Sequence, residues 1–326
     1  MATWSRAGRL RAGLVLAVMA AGCQSAPPAR SPTTTRTATS GPVEAAAPVL
    51  AAAGDIACPA GQQPTQASCQ QAQTFAVLQR LRPTVVAALG DNQYATRGGD
   101  DAKVNLPQAY TAGYARSWGR LRAITRPTPG NAEFKNDDAA PYFAYFGALA
   151  GRAGRGWYSY ELGSWHVVVL NSNCFKAGGC GEGSPQYAWL VADLAAHPAR
   201  CTLAYWHHPR FSSHKAGDDA ALEPLWEALY AAGAEVVLNG HHHHYERFTP
   251  QDPSGTPDQA RGIREFVVGT GGRSLAGFGT LKPSSQVRDS ATFGVLALTL
   301  HPDGYDWRFV PQAGKRFSDA GSDRCH

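Results

Sequence analysis

The chain has 326 residues, enough for one large domain or two modest ones with a core of useful depth. Charged residues make up only 17% and apolar content is ordinary, which excludes wholesale disorder. The formal net charge of +5 falls to about +2 once Arg6, Arg9 and Arg11 are set aside with the N-terminal segment, too weak a balance for a nucleic-acid-binding surface.

Those three arginines precede the apolar run Ala12–Ala21, which is too short to span a bilayer as a mature helix. The run ends in Ala20-Ala21-Gly22-Cys23, which resembles a bacterial lipoprotein processing site with Cys23 as the acylated residue. Ala20 stands where a larger aliphatic residue is usual, and a soluble secreted protein is the alternative. Residues 1–22 then form the signal peptide, and either reading puts the domain outside the cytoplasm. A membrane would be met only through the lipid anchor. From Gln24 to about Pro48 the sequence is Ala, Pro, Ser and Thr with almost no large apolar residue, so 23–48 reads as a disordered tether and 49–326 as the folded domain. Six further cysteines, Cys58, Cys69, Cys174, Cys180, Cys201 and Cys325, make an even number in an oxidising compartment. Spacing favours Cys58–Cys69 and Cys174–Cys180 as local bridges and leaves Cys201 for Cys325, one of 15 possible connectivities.

After the tether, short apolar runs alternate with helical patterns, the signature of an α/β domain. Val49–Ala53, Val85–Leu89, Val167–Leu170, Thr202–Trp206, Val236–Leu238, Phe266–Val268 and Val295–Leu300 read as strands. Phe75–Leu81, Gln186–Ala196 and Leu222–Ala231 read as helices, the second capped by Ser184 with Pro185 at its first position, the third stopped at Gly233. Pro302-Asp303-Gly304 predicts an antiparallel hairpin between Val295–Leu300 and Tyr305–Phe309. Ala139–Gly156 and Pro250–Ile263 read as loops.

Polar groups collect at the ends of these runs. Gly54-Asp55 follows the first strand and Gly90-Asp91-Asn92-Gln93-Tyr94 the second. Pro127–Pro129 leads to Gly130-Asn131, Thr202–Trp206 delivers His207-His208-Pro209, and Val236–Leu238 delivers Asn239-Gly240 and then His241 to His244. In α/β sheets the carboxyl ends of the strands line the ligand crevice, so these groups should converge. In extended backbone His241 and His243 point one way and His242 and His244 the other. Any one of these pieces is a turn or cap on its own; five in one order make a metal-ligand set.

That ordered set resembles the calcineurin-like metallophosphoesterases. Tyr94, three residues after Asp91, and Tyr245-Glu246-Arg247 after the histidines make it most similar to the purple acid phosphatase branch. The resemblance covers about Val49 to Phe309 and implies a four-layer αββα sandwich with the metals at one edge of its two sheets. It also implies that Asp55, Asp91, Tyr94 and His243 hold one ion and Asp91, Asn131, His207 and His241 a second, with Asp91 as the bridge on which catalysis depends. Carboxylate, phenolate and imidazole suit trivalent iron; Asn with two His suits zinc, manganese or ferrous iron.

One position departs from the pattern. The family has a His directly after the motif Asn, where this chain has Ala132. His214, seven residues beyond His207, is the candidate catalytic and substrate-contacting replacement, and Arg210 a candidate phosphate contact. The leading expectation is hydrolysis of small phosphate monoesters. A phosphodiesterase or nucleotidase on the same centre is the second, and a metal-binding surface protein with decayed catalysis the third. No nucleic-acid partner is expected, and the oligomeric state is open.

Overall fold

A computed structural model describes residues 15–19, 22, 46–94, 107–135 and 137–326. Cys23, the expected lipidation site, lies outside the described residues. The chain divides into Met1–Ala45 and Ala46–His326, and the fold is that of the second unit. Among the described residues no helix is long and apolar enough to cross a membrane.

The strands are β1 (Val49–Ala53), β2 (Val85–Leu89), β3 (Thr125–Thr128), β4 (Tyr158–Leu162), β5 (Trp165–Val169), β6 (Cys201–Tyr205), β7 (Val236–Asn239), β8 (Tyr245–Phe248), β9 (Arg264–Val268), β10 (Ser285–Asp289), β11 (Gly294–His301), β12 (Gly304–Pro311) and β13 (Ala320–Arg324). The helices are α1 (Gln71–Leu81), α2 (Pro107–Ala112), α3 (Ala140–Phe146), α4 (Pro185–Ala196) and α5 (Glu223–Ala231). One sheet has the order β13-β12-β11-β1-β2-β3, the other β10-β8-β9-β7-β6-β5-β4. Each has a parallel segment: β1-β2-β3 in the first, continued by antiparallel strands beyond β1 and ending at the edge strand β3, and β5-β6-β7-β9 in the second, flanked by antiparallel strands on both sides. Continuous apolar runs such as Val85–Leu89 suit these parallel segments because both faces of the sheet are covered.

Alternation along the second sheet decides the layers. Val167, Val169, Leu203, Tyr205, Val236, Leu238, Phe266 and Val268 join the core shared with the first sheet and α1. Their neighbours Val168, Ala204, Val237 and Val267 face Leu190 of α4 and Leu225, Trp226 and Leu229 of α5. With α1 packed on β11 and β12, the result is the expected αββα sandwich. Ser184 caps α4, its Oγ accepting from Tyr187 N at 3.2 Å, and the β11–β12 hairpin pairs antiparallel. The three disulfides are Cys58–Cys69, Cys174–Cys180 and Cys201–Cys325; the last joins β6 of one sheet to the end of β13 in the other.

Two expectations need correction. Ala139–Gly156 is not a plain loop: it holds α3 and a short 3-10 turn, Gly147–Ala150. Tyr142 and Phe146 are fully buried there, Phe146 packing edge-on against Tyr110 and Tyr114, so burial stabilises a helix too short to show periodicity. The strands β3, β4, β8, β10 and β13 also went unread, being short, polar or edge elements. β3 carries Pro127 and sits at the sheet edge, where a missing N–H costs nothing.

Candidate metal centre

The parallel strands of both sheets end at one edge of the sandwich, and hydrogen bonds stitch them together there. Gly54 N donates to Val268 O (2.9 Å) and His207 Nδ1 to Leu89 O (2.8 Å). The backbone then turns sharply three times: Asp55, Asp91 and His241 have φ of 59°, 48° and 66°, in the left-handed region that non-glycine residues avoid. Strain gathered on three polar residues at one edge is characteristic of a functional site. Gly90 before Asp91 is required by close approach as well as by its φ of 82°, since a Cβ there would lie 2.5 Å from His207 Nδ1.

The side chains fall into two donor sets. In the first, Tyr94 Oη is 2.9 Å from Asp55 Oδ1, 2.7 Å from Asp91 Oδ2 and 3.2 Å from His243 Nε2, which is 3.1 Å from Asp55 Oδ1. In the second, His207 Nε2 is 3.1 Å from Asn131 Oδ1, 3.3 Å from Asp91 Oδ1 and 3.3 Å from His241 Nδ1. Asp91 therefore gives one oxygen to each set. Atoms bound to a common ion at about 2.0–2.2 Å stand about 2.8–3.6 Å apart in octahedral or tetrahedral geometry, and nearly all these separations fall in that range. With His207 Nδ1 bonded to Leu89 O, Nε2 faces a carboxylate oxygen and an amide oxygen, a donor set that a cation among them would satisfy. The residues fit two cations.

Electrostatics agree. Burial opposes ionisation of Asp55, but the imidazoles of His243, His207 and His241 outweigh it and hold the carboxyl well below its usual range. Burial, then His207, pushes His241 down to about 4, so its ring is neutral at neutral pH. Burial and the carboxylates of Asp55 and Asp91 push the Tyr94 phenol well above its ordinary value, so only a strongly Lewis-acidic ion would take it as phenolate.

Residues 49–245, more than half of the chain, match the family model of the calcineurin-like phosphoesterases. The chain belongs to that family. It is 32% identical over 149 residues to purple acid phosphatase 15 of Arabidopsis thaliana, covering 40% of this chain and 27% of that protein. It is 30% identical over 176 residues to an uncharacterized protein of Mycobacterium tuberculosis, covering 44% and 33%. The chain thus spans about a quarter to a third of the length of these relatives. Among solved structures it is similar to a purple acid phosphatase from yellow lupin seeds, with a TM-score of 0.66 at 17% identity over 84% of this chain and 53% of that one. It is also similar to PhoD, at 0.56 and 15% over 85% and 68%. At these identities the structural likeness speaks for the fold. Within the family the sequence relatives put the chain on the purple acid phosphatase-like branch.

The histidine run reaches the centre by a route its sequence did not suggest. Instead of extended strand, His242 N bonds Gly240 O (2.7 Å) and His244 N bonds His242 O (2.6 Å), two successive three-residue turns. These still send His241 and His243 inward, while His242 Nδ1 meets Ser212 Oγ at 2.6 Å and His244 lies against Glu246 and Phe278.

Other placements differ from expectation. Arg210 is buried, its guanidinium 3.5 Å from Glu223, within bonding range of Pro253 O and stacked over Phe211, so it is spent inside the domain and is not a phosphate contact. His214 lies outside both donor sets. Its ring stacks on His242 at 4.2 Å and its Nδ1 accepts from Ala216 N, while burial and His244 keep its pKa low. Ala132 is buried, its N–H donating to Asp91 Oδ1 at 2.7 Å.

Four supporting residues were missed. Buried Glu133 accepts from the N–H groups of Asp91, Asn92 and Gly130 and from Tyr110 Oη, which fixes the turns that carry Asp91 and Asn131. Ser274 orients His243 through Nδ1 at 2.8 Å, Arg273 stacks over the Tyr94 ring, and Ser172 holds His208 at 2.8 Å beside His241. The Gly269-to-Gly272 loop after the Phe266–Val268 run was the signal for Ser274 and Arg273. Nothing in the sequence marked Glu133. A cleft of about 200 Å³ lined by His208, Pro209, Gly217, Asp218, His241 and His242 adjoins the second set.

Proposed function

We propose that this chain hydrolyses phosphate monoesters of small molecules at a two-metal centre, as an extracytoplasmic enzyme. The observation that carries the reading is the division of Asp91: one oxygen among Asp55, Tyr94 and His243, the other among Asn131, His207 and His241. The first group would hold trivalent iron, the second ferrous iron, zinc or manganese. When bound, such a pair acidifies a water and neutralises charge on the phosphoryl oxygens. The protein's own part is positional. Backbone turns held by Glu133 aim Asp91 and Asn131, and Leu89 O and Ser274 Oγ orient His207 and His243 so that their Nε2 atoms face inward. The small cleft favours compact substrates, and the purple acid phosphatase names of the relatives favour monoesters. Three disulfides accord with an oxidising compartment, and we infer attachment through an acylated Cys23, so Cys23→Ser should release the protein from membranes or leave it as precursor.

Rates on a phosphate monoester and a diester, measured side by side with metal present, test the reading. Faster monoester turnover is expected; preference for the diester would favour the phosphodiesterase alternative, and no turnover of either the decayed one. Ala132 refines the expectation. An alkyl ester leaves as a basic alkoxide and gains about 10²–10⁴-fold from a positioned acid, whereas a nitrophenyl ester needs little help. Ala132→His should therefore raise kcat/KM more for the alkyl ester. His214→Ala should hurt the alkyl ester more if His214 supplies the proton. Equal effects on both esters would exclude these two positions as the acid.

A further inference from the structure

A second cluster of metal-ligating side chains lies away from the centre, where β4, β5 and the end of α4 meet. Along β5, Val167 and Val169 face the inter-sheet core, so His166 points with Val168 to the helix side. There it meets Asp193 of α4, and His197, the residue that caps the C-terminal end of α4, follows four residues on. We propose that His166, Asp193 and His197 bind one divalent transition-metal ion of the zinc type, independently of the phosphoesterase centre.

Four observations carry this. First, one ligand atom from each residue lies within 4.8 Å of the others. His166 Nε2 is 2.9 Å from Asp193 Oδ2, and His197 Nδ1 is 3.5 Å from Asp193 Oδ1. Second, the supporting contacts are those of a carboxylate–histidine–metal arrangement: Glu161 Oε1, 2.8 Å from His166 Nδ1, is placed to accept the N–H of that nitrogen so that Nε2 can face an ion, and Ser159 Oγ donates to Asp193 Oδ1 at 2.8 Å. Third, the site is closed on one side and open on the other. The side chains of His166 and Asp193 are 1% and 7% exposed, while that of His197 is 48% exposed, on the rim of a groove of about 550 Å³ between α4 and α5. An ion has an entry path, and water completes its shell. Fourth, two imidazoles and one carboxylate select zinc-like ions over calcium or magnesium.

His197 Nδ1 also lies 2.9 Å from the Asp193 carbonyl, a half-exposed contact that the ring gives up on binding. The ion would pin the end of α4 to the sheet edge. The competing arrangement has no ion: His166 as an imidazolium between Glu161 and Asp193.

The test uses the full disulfide-bonded chain, stripped by chelation and dialysed against zinc buffered at low micromolar free concentration, followed by elemental analysis. His197→Ala, a half-exposed position, should carry one zinc fewer per chain than the parent, with phosphoesterase activity within about twofold. The same one-ion difference should persist between Asp91→Asn and Asp91→Asn/His197→Ala, so that this site and the centre fail separately. Equal zinc content in parent and His197→Ala, or binding at millimolar zinc only, would overturn the proposal in favour of the ion-free arrangement.

Discussion

Tyr94 has one hydroxyl proton and faces two carboxylates and an imidazole within 3.2 Å. In the bare protein that proton is held tightly, since burial and both carboxylates oppose its loss. A phenolate here therefore reports a hard, highly charged ion. If that ion is ferric iron, the oxidised protein absorbs visible light by charge transfer from Tyr94, and Tyr94→Phe abolishes the band with the far-ultraviolet circular dichroism unchanged. A colourless, fully active parent would contradict the iron assignment and leave the phosphoesterase reading standing. Residues of this kind were legible because each follows a strand: Asp55 after β1, Asp91 after β2, His207 two residues past β6, His241 two past β7. Arg210 was misread because sequence shows a charge beside a histidine motif but not Glu223 and Phe211, which occupy it.

At the scale of the element, the centre depends on how the chain leaves its strands. Glu133 shows why this was only partly legible. It sits on no strand or helix, yet it takes up four donors from three segments, and burial, then the charge of Asp91, pushes its carboxyl up to about 7. Gln cannot accept with both side-chain heads, so Glu133→Gln leaves buried N–H groups unpaired at about 1–3 kcal/mol. Lower denaturant resistance is expected, with metal affinity weakened about 10–100-fold; a variant with unchanged melting and metal retention would show that Glu133 does not support the centre. The helix α3 was illegible for a related reason: seven residues carry too little pattern, and its stability comes from the aromatic packing around Phe146. By contrast β1 and β2, uniformly apolar because they are covered on both faces, were legible to the residue.

At the scale of the molecule, two sheets are closed by a core, an edge of polar turns and the Cys201–Cys325 bridge. The same compactness leaves Glu265 of β9 fully buried, its oxygens accepting from the N–H groups of Arg210 and Phe211. Burial pushes its carboxyl well above the usual range. The folded chain thus keeps a proton that the unfolded chain releases above about pH 4.3. Stability falls as pH rises from there towards the folded pKa, by at most about 1.4 kcal/mol per pH unit from this group. Glu265→Gln should flatten the melting temperature between about pH 5 and pH 8 relative to the parent. Identical pH profiles would show that the carboxyl is ionised in the fold. The sandwich as a whole was readable from alternating strands and helices, but which face of each strand met which layer became visible only through the packing of Val167 against Val168 and their counterparts.

We propose that Asp91 is shared by two ions. Elemental analysis of natively purified parent and Asp91→Ala, run side by side with a fold check by circular dichroism, tests it directly. Two metal ions per chain are expected at this centre, both lost or greatly weakened in the variant, because the substitution removes the one carboxylate common to both donor sets. A folded parent with the same metal content as a folded Asp91→Ala would contradict it.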